Sequence, residues 1–126
     1  SLSDEEVTKL KEYMAGGNVV ILGKVGDNFA AGMTGGMAFI YDPNDDFENY
    51  VNTNSVIWQD LETEYWKGYV KNLISQHLNE TNSKIAKKIL ENFKIEQKNF
   101  KQVCPKEMLD KLLNPISLKK RVLKAV

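Results

Sequence analysis

Histidine and cysteine occur once each in this 126-residue chain, as His77 and Cys104, and their scarcity excludes much chemistry. A lone cysteine forms no internal disulfide, which fits a reducing compartment. No Cys/His cluster has the spacing of a zinc or iron–sulfur site. Long apolar runs are missing too: none approaches the ~20 residues of a membrane span. The opening residues do not read as a secretory signal. Net charge is absent, with 17 basic and 17 acidic residues, so no overall field draws the chain to nucleic acid or to a membrane. Glycine is nearly absent outside one stretch, because seven of the eight glycines lie between residues 16 and 42.

A chain of this length is most simply one domain, residues 1–126, able to bury a real core. Its charge is unevenly spread: residues 1–60 sum to −7 and residues 61–126 to +7. The basic residues are interleaved with acids and apolar positions and carry no nucleic-acid reader motif, so the two halves are expected to complement each other or to face different neighbours.

The glycines of residues 16–42 divide that stretch into three apolar runs, Val19 to Leu22, Phe29 to Met33 and Met37 to Tyr41. Glycine serves where the backbone takes φ > 0 or where another backbone comes close. Short β-type runs cut at nearly even spacing predict strands that turn and stack, as in a coil of a β-solenoid with glycine at its corners. One or two such coils leave open ends with unpaired backbone groups, so this region is expected to stack on something else.

Around it the pattern is mainly helical. Ser3 as N-cap, Glu6 as its capping-box partner and the apolar residues Val7, Leu10 and Met14 predict a helix within residues 1–15, stopped at Ala15-Gly16-Gly17. Residues 43–60 read as a connection that opens with the turn Asp42-Pro43-Asn44-Asp45-Asp46, and Tyr50, Val51, Val56 and Ile57 are its buried points. Residues 61–126 read as a helical tail. Its clearest helix runs from Leu61 to Leu78, with Leu61, Tyr65, Tyr69, Leu73 and either His77 or Leu78 as an apolar stripe widened by Trp66, Val70 and Ile74. Ser83 caps a second helix that buries Ile85, Ala86, Ile89, Leu90 and Phe93. Residues 93–104 give no clear pattern. Pro105 opens a third helix with Met108, Leu109, Leu112 and Leu113 inward, and Pro115 ends it. Residues 116–126 are amphipathic and basic, as in a short helix against a partner or a frayed tail. The fold class is therefore α+β: a short β-solenoid segment, a helical region after it and a short helix before it.

No constellation carries a reaction. A Cys–His nucleophile pair would require Cys104 and His77 to meet, with no orienting group evident. Glu62 and Glu64 point in different directions on a helix. The acids of Asp42 to Asp46 lack the sixth-position glycine of a calcium loop, where Phe47 stands. Gly23-x-x-Gly26 and Gly32-x-x-Gly35-Gly36 match neither G-x-G-x-x-G nor a P-loop, and a β-type run follows them where a phosphate cradle needs a helix. No catalytic, cofactor-binding or metal-binding residue is assigned.

The segments Glu12-Tyr13-Met14-Ala15-Gly16-Gly17-Asn18-Val19-Val20-Ile21-Leu22-Gly23 and Asn28-Phe29-Ala30-Ala31-Gly32-Met33-Thr34-Gly35-Gly36-Met37-Ala38-Phe39 resemble the carboxy-terminal glycine-motif domain of the glutamate synthase large (alpha) subunit. Leu61-Glu62, Thr81-Asn82-Ser83, Ile89-Leu90-Glu91-Asn92-Phe93 and Pro105-Lys106-Glu107 are similar to that subunit's tail, and the likeness covers roughly residues 12–110. Related domains occur in a subunit of formylmethanofuran dehydrogenase, but the helical tail favours glutamate synthase. The resemblance implies a right-handed β-helix that packs between catalytic units and holds no active-site residue. The parent enzyme forms glutamate from glutamine and 2-oxoglutarate; its FMN and iron–sulfur cluster are expected outside this segment. The family has further β-helix turns before Glu12, where this chain has a charged, helix-like segment, and Asn82 stands where glycine is usual.

The expected role is thus a scaffolding fragment of that enzyme, contacting its other domains or subunits, without catalysis of its own. The implied location is cytoplasmic, or plastid in a plant-like source. The alternative is a stand-alone module that self-associates through open solenoid ends, and a third reading is a small enzyme using Cys104 and His77.

Overall fold

The computed structural model describes residues 14–15, 18–23, 25–30 and 36–117. Strands β1 (Met14–Ala15), β2 (Asn18–Ile21), β3 (Ala38–Tyr41), β4 (Val56–Asp60) and β5 (Phe100–Pro105) form one mixed sheet in the order β1-β2-β3-β5-β4. Helices α1 (Glu64–Thr81), α2 (Lys84–Glu91) and α3 (Phe93–Glu96) lie between β4 and β5 in the chain. The class is α+β.

Two strands of the glycine stretch pair in parallel: Val19, Val20 and Ile21 of β2 lie beside Ala38, Phe39 and Ile40 of β3. A second parallel contact occurs further along the same segments, where Phe29 lies beside Val51. There the Phe29 N–H donates to the Tyr50 carbonyl and the Asn52 N–H to the Phe29 carbonyl, both at 2.7 Å. The remaining pairings are antiparallel: β1 with β2, and β5 with both β3 and β4.

Strand alternation sorts the side chains into two layers. Val20, Leu22, Phe39, Phe100 and Cys104 face the helices and meet Trp66, Val70, Leu73, Ile74, Ala86, Ile89 and Phe93. Ile21, Ala38, Ile40, Val56 and Val103 face the other way, towards Phe47, Phe29, Val51 and Trp58. Phe39 stacks against Trp66 and Tyr69 at 5.9 and 5.7 Å, and Phe47 meets Phe29 and Trp58 edge-on.

The expected Ser83 cap is present, while the expected Ser3 cap lies outside the described residues. The Ala86 N–H donates to Ser83 Oγ at the start of α2. Asn82, at φ 55°, ends α1 in the left-handed conformation, which asparagine tolerates. Thr63 caps the start of α1.

Several expectations need correction. Met14 and Ala15 form β1, beside Val19 and Asn18, and not the end of a helix; residues 1–13 of the expected N-terminal helix fall outside the described residues. The connection of residues 43–60 contains the one-turn helix Phe47–Asn49 and all of β4. Tyr65 is 51% exposed, since the buried line of α1 runs through Trp66, Val70, Leu73, Ile74 and His77. The patternless stretch of residues 93–104 supplies α3 and β5, the strand between β3 and β4. The helix after Pro105 is a 3₁₀ segment, Lys106–Lys111, which keeps Met108, Leu109 and Leu112 against the core. Leu113 lies beyond it and is 97% exposed. Residues 118–126 fall outside the described part.

Candidate functional site

Apart from His77 on α1, the polar groups that the fold withdraws from solvent gather at β5 and beside the ends of β3 and β4. Lys101, on β5, sits under the loop after β3 with its side chain 7% exposed. Its Nζ donates to Asp45 at 2.7 Å and to Asp60 at 2.6 Å, and lies 5.9 Å above the Trp58 ring. Burial alone would lower its pKa, but the two carboxylates outweigh it and hold the ammonium above its ordinary range. The cation thereby ties the loop after β3 to the last residue of β4.

Asp42 organises the same loop. Its carboxylate accepts the N–H groups of Asp46 and Phe47, and its carbonyl accepts that of Asp45. These are contacts of a turn, in keeping with the turn chemistry of Asp42 to Asp46. At the end of β3, the Tyr41 hydroxyl donates to Glu96 at 3.0 Å, and Asn99 Nδ2 donates to the same oxygen at 2.9 Å. Burial, then the hydrogen bond and charge of Glu96, push the Tyr41 hydroxyl up to about 12. Gln102 is fully buried; its amide donates to Met37 Sδ, and its carbonyl oxygen has no hydrogen-bond partner among the described residues.

The residues weighed for catalysis are sealed in. Cys104 is completely buried on β5, and His77 is 1% exposed on α1, where desolvation lowers its pKa against the opposing charge of Glu80. A nucleophile and base so placed cannot reach a substrate. Glu62 accepts the Ser117 hydroxyl, and Glu64 pairs with Lys67 on the exposed first turn of α1. Among the described residues no group of three His, Cys, Asp or Glu can hold a metal ion, and one thiol is too few for an iron–sulfur cluster.

The glycines need a partial correction as corner residues. Gly26 takes no left-handed conformation, and a side chain there would meet nothing within 4 Å. The positive φ values of that turn fall instead on Asn28 (62°) and Ala30 (72°), on either side of Phe29. Asn28 accepts a hydrogen bond from the Asn52 side-chain amide, joining the two parallel segments beside the Phe29–Val51 contact. Gly16, Gly17, Gly32 and Gly35 lie outside the described residues.

This arrangement holds polypeptide segments together, and Phe29, within the chain's most specific phrase, lies at the parallel contact with Val51. Residues 4–106 match the model of the GXGXG motif family. The chain belongs to that family. The glutamate synthase [NADPH] large chain of Azospirillum brasilense is 50% identical over 111 residues, 88% of this chain and 7% of that one. The glutamate synthase [NADH] of Schizosaccharomyces pombe is 42% identical over 96 residues, 76% of this chain and 4% of that one. The chloroplastic ferredoxin-dependent glutamate synthase of Spinacia oleracea is 44% identical over 94 residues, 75% of this chain and 6% of that one. The GXGXG chain thus spans 7% or less of the length of these curated relatives. The resemblance read from the sequence is borne out.

Proposed function

We infer that this chain is a structural segment of a glutamate synthase large chain, the single GXGXG domain of residues 1–126, and that it holds other parts of that enzyme in place without catalysing a step itself. The observation that carries this reading is the 50% identity over 111 residues to the Azospirillum large chain. It is supported by what the buried polar groups do: Lys101, Asp42 and Glu96 bind loops and strands to one another.

The glycine stretch forms two rungs of a right-handed β-helix in this reading. The parallel register of β2 on β3, and of Phe29 on Val51, supports it, because successive rungs of a solenoid lie in parallel. Apolar residues between the two stacks, among them Ile21, Ala38, Ile40, Phe47 and Val51, fill the coil. FMN and the iron–sulfur cluster belong to other parts of the parent enzyme. Its domains or subunits are the partners, and the location is cytoplasmic, or plastid in a plant-like source.

The test is replacement. The matching segment of the Azospirillum large chain is exchanged for this one, and formation of glutamate from glutamine and 2-oxoglutarate is measured. The chimera keeps activity, while the isolated chain shows none. Turnover by the isolated chain, or a well-folded chimera that neither assembles nor works, overturns the reading. The alternative is a stand-alone module that self-associates through the open ends of its rungs. Concentration-dependent sedimentation of the isolated chain favours it; a strict monomer counts against it.

A further inference from the structure

The second helix carries charge of one sign on its outer side. Ala86 and Ile89 of α2 are buried in the helix-side core, which turns Lys84, Lys87 and Lys88 to solvent. These three stand at i, i+3 and i+4 and so share one face of the helix, where like charges repel one another. The first turn of α2 contains no acid, and Lys84 and Lys87 stand there instead, at the positive end of the helix dipole. The helix thus carries its cations against two local penalties. Lys94 on α3 and Lys98 in the one-turn helix Gln97–Asn99 are exposed next along the chain. Glu80 and Glu91 are exposed acids of the same segment, yet the ion pairs among the described residues are those of Lys67 and Lys101.

Between Lys94 and Lys98 stands Ile95, 68% exposed, while its neighbours Phe93 and Glu96 turn inward. An apolar side chain with charges around it has the make-up of a docking surface, in which an apolar centre is ringed by a polar rim.

The chemistry of this face selects its partner. All five of its cations are lysines, and no exposed aromatic ring lies in residues 84–98 for a base to stack on, so nucleic acid is poorly served. A second copy would have to offer the acids of the loop after β3, Asp45 and Glu48, which lie on the opposite face of the sheet. That contact is head to tail and cannot close as a symmetric pair. The remaining supplier of acids is the rest of the large chain, of which this segment matches 7% in the Azospirillum relative.

We propose that the outer face of α2 and α3 docks on an acidic surface elsewhere in the parent large chain, with Ile95 as the apolar anchor and Lys84, Lys87, Lys88, Lys94 and Lys98 as the rim. The proposal rests on the reading of this chain as a structural segment and names the face by which it grips its neighbour. Carboxylates placed there relieve both the repulsion between the lysines and the conflict with the dipole of α2. Because the rim lies at the surface, salt weakens the contact.

The test uses the chimera with the Azospirillum large chain. A carbodiimide joins an amine to a carboxylate that it touches, and peptide mapping locates the join. The expected result is coupling of the α2 and α3 lysines to Asp or Glu outside the segment, at least about fivefold weaker at about 0.5 M salt than at about 20 mM. Ile95→Ser leaves every charge in place and is expected to lower the same coupling at least about threefold. Coupling of Lys101 to Asp60 inside the segment stays unchanged and reports that the fold is intact. A chimera that makes glutamate while these lysines couple to no acid outside the segment overturns this proposal alone. So does coupling only between copies of the segment, or capture of a single-stranded RNA oligonucleotide by this face in place of the coupling. A well-folded chimera that neither assembles nor works overturns the structural reading and this proposal with it.

Discussion

The two faces of the sheet are closed by different means. On one face, α1 and α2 bring a periodic apolar stripe onto Phe39, Phe100 and Val20. On the other, a loop and the Phe29–Val51 stack cover Ile21, Ile40 and Val103, with Phe47 as the plug and Lys101 as the clasp. The stripe that α1 and α2 bring to the helix face is local in sequence; the opposite face depends on residues more than twenty positions apart meeting in register. Local periodicity makes the first robust and easy to read, while the second rests on a few long-range contacts that no window of sequence displays.

The largest effect should come from the helix face. Phe39→Ala removes a fully buried ring packed on Trp66 and Tyr69 and is expected to cost about 3–5 kcal/mol in denaturant unfolding, with one cooperative transition for the whole chain. If Phe39→Ala instead loosens only part of the chain, the faces are more independent than the shared strands imply. Alkaline titration comes next. The Tyr41 pKa is raised from 10.0 to about 12, so the protonated hydroxyl is the form that the fold favours. Its contribution is complete below pH 10 and is lost as the pH climbs towards 12. Tyr41→Phe should flatten the fall in stability over that window, followed by unfolding at stepped pH.

On the face away from the helices, Lys101→Met should cost about 1–2 kcal/mol. The loss stays modest because Asp45 and Asp60 are well exposed and regain water. The loop after β3 should show the greatest rise in amide exchange, and a rise spread evenly over α1 would contradict the clasp. The smallest effect is a gain. Ala30 holds φ 72°, which an alanine side chain disfavours. Ala30→Gly should therefore stabilise by about 0.5–1 kcal/mol, seen as a higher unfolding midpoint. Asn28→Gly, at a residue that tolerates this conformation, gives up only an exposed hydrogen bond from Asn52 and should change little.

The same contrast explains what could be read in advance. Ser83 as a cap and the Trp66–Val70–Leu73–Ile74 stripe follow from local residue type and spacing, and Asn82 as a left-handed end from the glycine that the resemblance puts there. β2 and β3 were legible as short apolar runs between glycines. β5 was not, because Lys101 and Gln102 interrupt its apolar residues. Both are buried, Lys101 through partners forty or more residues away. β4 hid for a related reason: Gln59 and Asp60 spend their polar groups on Ile116 and Lys101. Tyr65 misled because its spacing from Tyr69 fits the stripe while its place in the first turn of α1 leaves it in solvent. No site was assigned because His and Cys are scarce; the burial of His77 and Cys104 on different elements could not be read from their positions in the sequence.

The position of β5 also governs the order of assembly. β4 reaches the other strands only through β5, and β5 lies some forty residues further along the chain. As the polypeptide is synthesised, the helices can form while the sheet still has a gap at its centre, and that gap closes only when the segment around residue 100 arrives. A ribosome paused just before that point would hold a folding intermediate with two exposed strand edges, a natural substrate for chaperones.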